Sequence, residues 1–234
     1  MTRNDIIGLV LSYVYAFGLL FGVEAIGKGL RWRQEVTRKI VHIGAGMWIW
    51  GILYFFDQKI YGVIPFATFI VLNYVFYRMQ SFKAMDTTES TLGTVYFAFS
   101  ITVLFVWLWR TDGSLDQVPL AAAGVMAMTW GDALASLIGL RWGNHTHTSF
   151  GHPRSWEGTA AMGIVSLVAI GLTLALLPNS ALSPNSVAPT PFWAVTLAGA
   201  LVATVAEAVS PAGTDNLSVP LLSTLAMWLV DSVF

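Results

Sequence analysis

Five oxygen-bearing side chains have the chemistry to hold a divalent cation: Asp132, Glu157, Glu207, Asp215 and Asn216. Hard cations take carboxylate and amide oxygens, and Mg2+ combines one or two carboxylates with the phosphates of a substrate. Asp132, Glu157, Glu207 and Asp215 are the candidate metal ligands, with Arg38, Lys39 and Arg154 as candidate partners of phosphate oxygens. Such a set suits phosphoryl transfer, where positioning and charge neutralisation supply most of the catalysis. There is no GxxxxGK[ST] loop, no HRD or DFG set and no GxSxG elbow. The absence of cysteine removes thiolate zinc sites and cysteine nucleophiles together. His145, His147 and His152 have no carboxylate at metal spacing and read as solvated loop side chains rather than zinc ligands.

Asp132 falls inside an apolar run, where an ionised carboxylate needs a partner or a wet cavity. It is the candidate general base or metal ligand, and Glu157 is the second candidate catalytic carboxylate. Asp132, Ala135, Ser136 and Gly139 are spaced i, i+3, i+4 and i+7, so they share one helix face. That stripe serves either close helix packing of the small-xxx-small kind or the admission of a nucleotide or lipid headgroup. Lys39 and His42 also share a face, with Arg38 one turn before His42. The plainer reading makes Arg38 and Lys39 membrane-surface anchors. Asp132→Asn is expected to remove the charge and leave the fold intact, because an amide is easier to bury than a carboxylate.

Apolar helices must position these groups. Apolar residues make up 56% of the chain and charged residues 11%, against roughly 25% charged in soluble domains. A hydrocarbon core about 30 Å thick needs about 20 apolar residues per helix. Apolar runs extend from about Asp5 to Gly27, Ile40 to Phe56, Ile60 to Tyr77, Thr91 to Trp109, Val118 to Leu140, Thr159 to Leu177, Pro191 to Val209 and Val219 to Phe234. They predict an all-α fold, a polytopic transmembrane bundle of about 7–8 helices, with bundle and site in one domain over residues 1–234. The last run is short, contains Asp231, and reads as a tilted span or a half-inserted helix. The first carries Glu24 and lacks a small-x-small cleavage pattern, so it reads as a retained helix. No transit peptide is evident, and a bacterial plasma or internal membrane is expected.

Connections after the odd-numbered runs hold Lys28, Arg31, Arg33, Arg38, Lys39, Arg78, Lys83, Arg141 and Arg154, nine basic residues against three (Arg3, Lys59, Arg110) on the opposite side. The imbalance places the first set in the cytoplasm and the N-terminus outside. The polar clusters VTRKIVHIGAG, MDTTESTLGT, TWGDALASLIGLRWGNHTHTSFGHPRSWEGT and AEAVSPAGTDNLSVP all converge on the basic side. One site at the cytoplasmic surface, fed by a soluble reactant and a lipid, would have this layout. Net charge of −1 gives no support to nucleic-acid binding.

RKIVHIGAG, GDALASLIG followed by RSWEGT, and TDNLSVPLL occur in an order that resembles the CTP-dependent lipid-alcohol kinases. That family includes phytol, farnesol and dolichol kinases and is related to the phosphatidate cytidylyltransferases; the likeness is nearest to the phytol kinases of photosynthetic, including cyanobacterial, organisms and runs from about Arg31 to Leu222. It implies transfer of the γ-phosphate of CTP to a long isoprenoid alcohol, phytol above all, at the cytoplasmic face with Mg2+. The partners implied are CTP, an alcohol dissolved in the membrane, and the bilayer; a homo-oligomer is also compatible. By position, Arg38, Lys39 and His42 match the family's basic pair and following histidine. Asp132, Ala135 and Gly139 match D-x-x-A-x-x-x-G, with Ser136 beside them. Arg154, Ser155, Glu157 and Gly158 match the later basic-hydroxyl-acidic-glycine element, and Asp215 and Asn216 the C-terminal DN. Pro153-Arg154 stands where two lysines are common, and the longer cytidylyltransferase signature is missing. A phosphatidate cytidylyltransferase-like enzyme, a CTP-dependent diacylglycerol kinase and a small membrane transporter are the alternatives. Trp48, Trp50, Tyr96 and Phe97 would hold the isoprenoid tail, or serve plain bundle packing.

The orientation is tested by His147→Cys in this cysteine-free chain. The cysteine should resist an impermeant thiol reagent in intact cells and react once the membrane is opened; labelling of intact cells would reverse the topology.

Overall fold

A computed structural model describes residues 1–79, 92–149 and 152–233. Eight helices are described: α1 (Arg3–Gly29), α2 (Gln34–Phe55), α3 (Lys59–Met79), α4 (Gly93–Leu108), α5 (Val118–Trp142), α6 (Trp156–Leu176), α7 (Phe192–Val209) and α8 (Asp215–Val233). Six of them are long and apolar enough to cross a membrane; α4 is apolar but 16 residues long, and the first turns of α2 are charged. The bundle is the all-α, polytopic architecture that the run pattern predicts, and its last helix is a full 19 residues. Its outer faces carry Tyr54, Ile60, Val71, Leu172, Leu176, Trp193 and Leu201, all exposed, as lipid contact requires.

The helices alternate in direction. At one end Thr2 and Asp5 cap α1 and bond Asp57, while Asp116 accepts from Arg110 N, Val118 N and Ser183 Oγ at 3.0, 3.0 and 2.9 Å. Burial raises the Asp116 carboxyl above its ordinary value, and the hydrogen bonds oppose that rise. Antiparallel alternation then places the N-termini of α2, α4, α6 and α8 together at the opposite end. Helix N-termini favour anions through unpaired N–H groups and the helix dipole.

α5 is the central helix, with Val118 to Met126 all buried. Its run of Ala121, Ala122, Ala123 and Gly124 lets neighbours approach to backbone distance. A Cβ added at Gly124 would lie 2.9 Å from the Pro220 carbonyl of α8. Residues Ala127–Asp132 form a π-helical turn within α5. Such widened turns recur at functional sites, and nothing in the local sequence announces this one.

The segment expected to be a loop of solvated histidines folds instead into an antiparallel hairpin, β1 (Thr146–Ser149) and β2 (His152–Ser155), which pairs His147 with Arg154. His145 bonds Glu157, and the His147 ring lies 4.9 Å from that of Trp156. The MDTTEST part of the polar cluster before α4, with Lys83, lies outside the described residues.

Candidate active site

Lys39 and Asp132 meet inside the bundle, Nζ to Oδ2 at 2.7 Å, with both residues buried. Asp132 ends the π-helical turn, and Lys39 also lies 3.4 Å from its backbone carbonyl. One turn further along α2, His42 Nε2 lies 3.0 Å from the Met128 carbonyl and 3.7 Å from Asp132 Oδ2. A carbonyl only accepts, so Nε2 carries a proton. The expected grouping of Arg38, Lys39 and His42 on one helix face therefore holds, and the face points at α5.

Arg154, at the end of the hairpin, ties α7 to α8. Its guanidinium pairs with Glu207, donates to Ser210 O at 2.9 Å and lies 3.5 Å from Asp215 Oδ2. Ser155 is the N-cap of α6, its Oγ accepting from Gly158 N at 3.0 Å. Added Cβ atoms at Gly139 and Gly158 would lie 2.9 Å from Ser155 Oγ and from the Ala135 carbonyl respectively. The Ala135–Gly139 stripe is thus a close-packing seam between α5 and α6 and, on its open side, part of the cavity wall. Asp215 and Asn216, which precede the apolar run from Val219, form the first turn of α8. Gly213, at φ +81°, turns the chain into that helix in the left-handed region where glycine is unstrained.

Lys39, His42, Asp132, Arg154, Glu207 and Asp215 line one cavity of about 670 Å³, within the usual range for ligand sites. Its charged end holds Arg38, Lys39, Asp132, Arg154, Glu207 and Asp215, together with Ser136, Ser155 and Asn216. Its apolar arm sinks between α1, α2 and α3 and is lined by Tyr15, Trp48, Phe66, Phe69 and Phe97. Trp48 lies about 21 Å along α2 from its start, at 1.5 Å per residue. Its indole donates to Ser12 Oγ at 3.0 Å and stacks on Tyr15 with centroids 4.4 Å apart. Of the four aromatics expected around the tail, Trp48 and Phe97 line the arm; Trp50 and Tyr96 do not. Tyr15, Phe66 and Phe69 replace them, and only the packing of α1 and α3 against α2 reveals them.

Glu157 is the one candidate site residue that the structure keeps away from the cavity. Its carboxylate accepts from the His145 ring at 2.7 Å and from His145 N at 3.2 Å. Among the described residues no three His, Asp or Glu side chains stand close enough to hold a metal ion together. The four expected ligands Asp132, Glu157, Glu207 and Asp215 are therefore not gathered as a cage. The donors present do suit a hard cation that arrives with phosphates. Glu207 Oε2 and Asn216 Oδ1 are buried with no partner among the described residues. The lining also holds four carboxylates (Glu35, Asp132, Glu207, Asp215) against three cations (Arg38, Lys39, Arg154).

The chain is 34% identical over 226 residues to phytol kinase of Synechocystis sp., covering 95% of this chain and 90% of that protein. The chain belongs to the phytol kinase family. It is a phosphotransferase with an alcohol acceptor. More distant members of the family are similar along nearly the whole chain. A probable chloroplastic phytol kinase of Triticum aestivum is 26% identical over 92% of this chain and 74% of its own length. The chloroplastic farnesol kinase of Arabidopsis thaliana is 24% identical over 97% and 76%. No family model matches the chain, and no solved structure matches it.

The Lys39 contact changes what Asp132→Asn should do in this family member. An amide cannot neutralise the ammonium, so removing either partner leaves the other's charge buried and unpaired, a loss of about 3–5 kcal/mol. Thermal unfolding in detergent should show both Asp132→Asn and Lys39→Met strongly destabilised. The double variant Lys39→Met/Asp132→Leu should recover most of the stability and none of the transfer activity. Additive losses in the double variant would show that the two groups are not paired.

Proposed function

We propose that this chain transfers the γ-phosphoryl group of CTP to the hydroxyl of a long isoprenoid alcohol, phytol foremost, with Mg2+ bound beside the nucleotide. The reaction site is proposed to face the cytoplasm in a bacterial plasma or internal membrane. The observation that carries the reading is a single cavity with two characters. One end is ringed by three cations, four helix N-termini and a carboxylate cluster; the other is an aromatic-lined arm sunk into the bundle. A charged nucleotide and an apolar alcohol need these two environments side by side. The choice of CTP rests on the resemblance of RKIVHIGAG, GDALASLIG, RSWEGT and TDNLSVPLL to the lipid-alcohol kinases, and the choice of phytol on the relatives' names.

In this reading Arg38, Lys39 and Arg154 bind phosphate oxygens, joined by backbone N–H groups in the first turns of α6 and α8. Asp215, Glu207 and Asn216 would hold Mg2+, which when bound offsets the charge on the transferring phosphoryl group. Asp132 accepts the alcohol's proton as the new O–P bond forms. Lys39 fixes that carboxylate in place, and His42 braces the same turn through Met128. The arm holds the isoprenoid chain and keeps water, the competing acceptor, away from the phosphoryl group.

Purified protein with γ-labelled CTP and a panel of lipid alcohols tests the proposal. We expect phytyl monophosphate and CDP, loss of activity with EDTA, and poor turnover with ATP. Equal turnover with ATP and CTP would overturn the donor assignment. Release of pyrophosphate with a CDP-lipid product would overturn the kinase assignment in favour of nucleotidyl transfer.

A further inference from the structure

α3 contributes Pro65, Phe66, Phe69 and Asn73 to the cavity wall. Three are apolar, and Asn73, 8% exposed, is an amide on an otherwise oily stripe. Its Nδ2 donates to the Thr94 carbonyl in the first turn of α4 at 2.9 Å. Because a carbonyl only accepts, the nitrogen end is fixed there, which leaves Oδ1 as the acceptor that the amide can offer to the cavity it lines. Fastening α4 needs the donor alone. A ligand that fills the cavity takes water's place along this wall, and an amide oxygen there is best satisfied by a ligand group that donates to it.

Depth identifies the donor. Asn73 lies about 9 Å along α3 from its Met79 end, and His42 about 12 Å along α2 from its start, at 1.5 Å per residue. Asn73 therefore stands where the charged end of the cavity gives way to the aromatic arm. Phosphate oxygens accept hydrogen bonds and have nothing to offer Oδ1. An alcohol O–H donates, and a lipid alcohol with its tail in the arm leaves its hydroxyl at this level.

We propose that Asn73 is the docking point for the hydroxyl of the lipid alcohol, registering the acceptor at the mouth of the arm. The inference rests on the alcohol-kinase reading of the cavity. Asn73 is a positioning residue: a neutral amide is too weak a base to take the proton, so the hydroxyl's single hydrogen is donated to Asn73 on docking and turns to the carboxylate for transfer.

The test compares wild-type protein with Asn73→Leu in two assays. The first reads thermal stabilisation in detergent by phytol and by phytane, the same hydrocarbon without its hydroxyl. Wild type should be stabilised more by phytol, and Asn73→Leu should respond equally to both. The second reads transfer from CTP: KM for phytol should rise roughly five- to tenfold, the worth of one hydrogen bond, with KM for CTP and kcat little changed. A variant that still separates phytol from phytane would overturn the proposal. A rise in KM for CTP alone would assign Asn73 to the nucleotide, and a loss of stability with both KM values intact would reduce it to a fastening for α4. If wild type shows the hydroxyl-dependent stabilisation, and Asn73→Leu loses it, while neither transfers phosphate, Asn73 stands as an alcohol-binding residue and the kinase reading falls. Should Asn73→Leu not fold, Asn73→Ser is judged by the same outcomes.

Discussion

Lys39 and Asp132 bury an ammonium and a carboxylate 2.7 Å apart in a bundle made mostly of Leu, Ile, Val, Ala and Phe. Two such charges leave water at a large desolvation penalty, which their attraction offsets only with good geometry and further polar partners. The neighbourhood supplies them: the Asp132 carbonyl, His42, and the cavity itself as a route for water and ligand. The widened turn of α5 carries Asp132, and the small residues along α5 hold its neighbours close enough to enclose the pair. Every other feature of the site stands in a fixed relation to this contact. α2 leads from it down to Trp48, α5 leads up to the glycine seam with α6, and Arg154 connects that seam to Glu207 and Asp215.

Helix alternation accounts for the rest of the charge. Four N-termini share one end because eight helices of comparable length run up and down, so the bundle has a positive rim before any side chain is added. Carboxylates gathered under that rim are held by Arg154 and by the dipoles.

Much of this was legible in the sequence, for reasons that differ by residue. The spans follow from hydropathy, and the Asp132–Ala135–Gly139 and Lys39–His42 faces follow from the helical period. That these two faces meet did not follow, since Lys39 and Asp132 are 93 residues apart and the contact depends on how α2 leans on α5. Glu157 misled because RSWEG places it beside Arg154 and Ser155, yet Ser155 caps a helix there and the next residues fan around its axis. The glutamate faces the hairpin and the glycine faces α5. Trp50 misled in the same way: two residues beyond Trp48 on a helix is the opposite face. The π-helical turn and the β-hairpin had no signature strong enough to read. Tyr15, Phe66 and Phe69 looked like any other aromatic in an apolar helix until the arm they line was visible.

The central claim is that the lipid tail and the nucleotide phosphates enter opposite ends of one cavity, and photocrosslinking tests it most directly. A phytol analogue with a diazirine at its tail end, irradiated with the protein in nanodiscs and mapped by mass spectrometry, should label Tyr15, Trp48, Phe66 or Phe69. A long alcohol that occupies the cavity without a photoreactive group should suppress the labelling. Adducts confined to outward-facing residues such as Trp193 and Leu201, and insensitive to that competitor, would contradict the account.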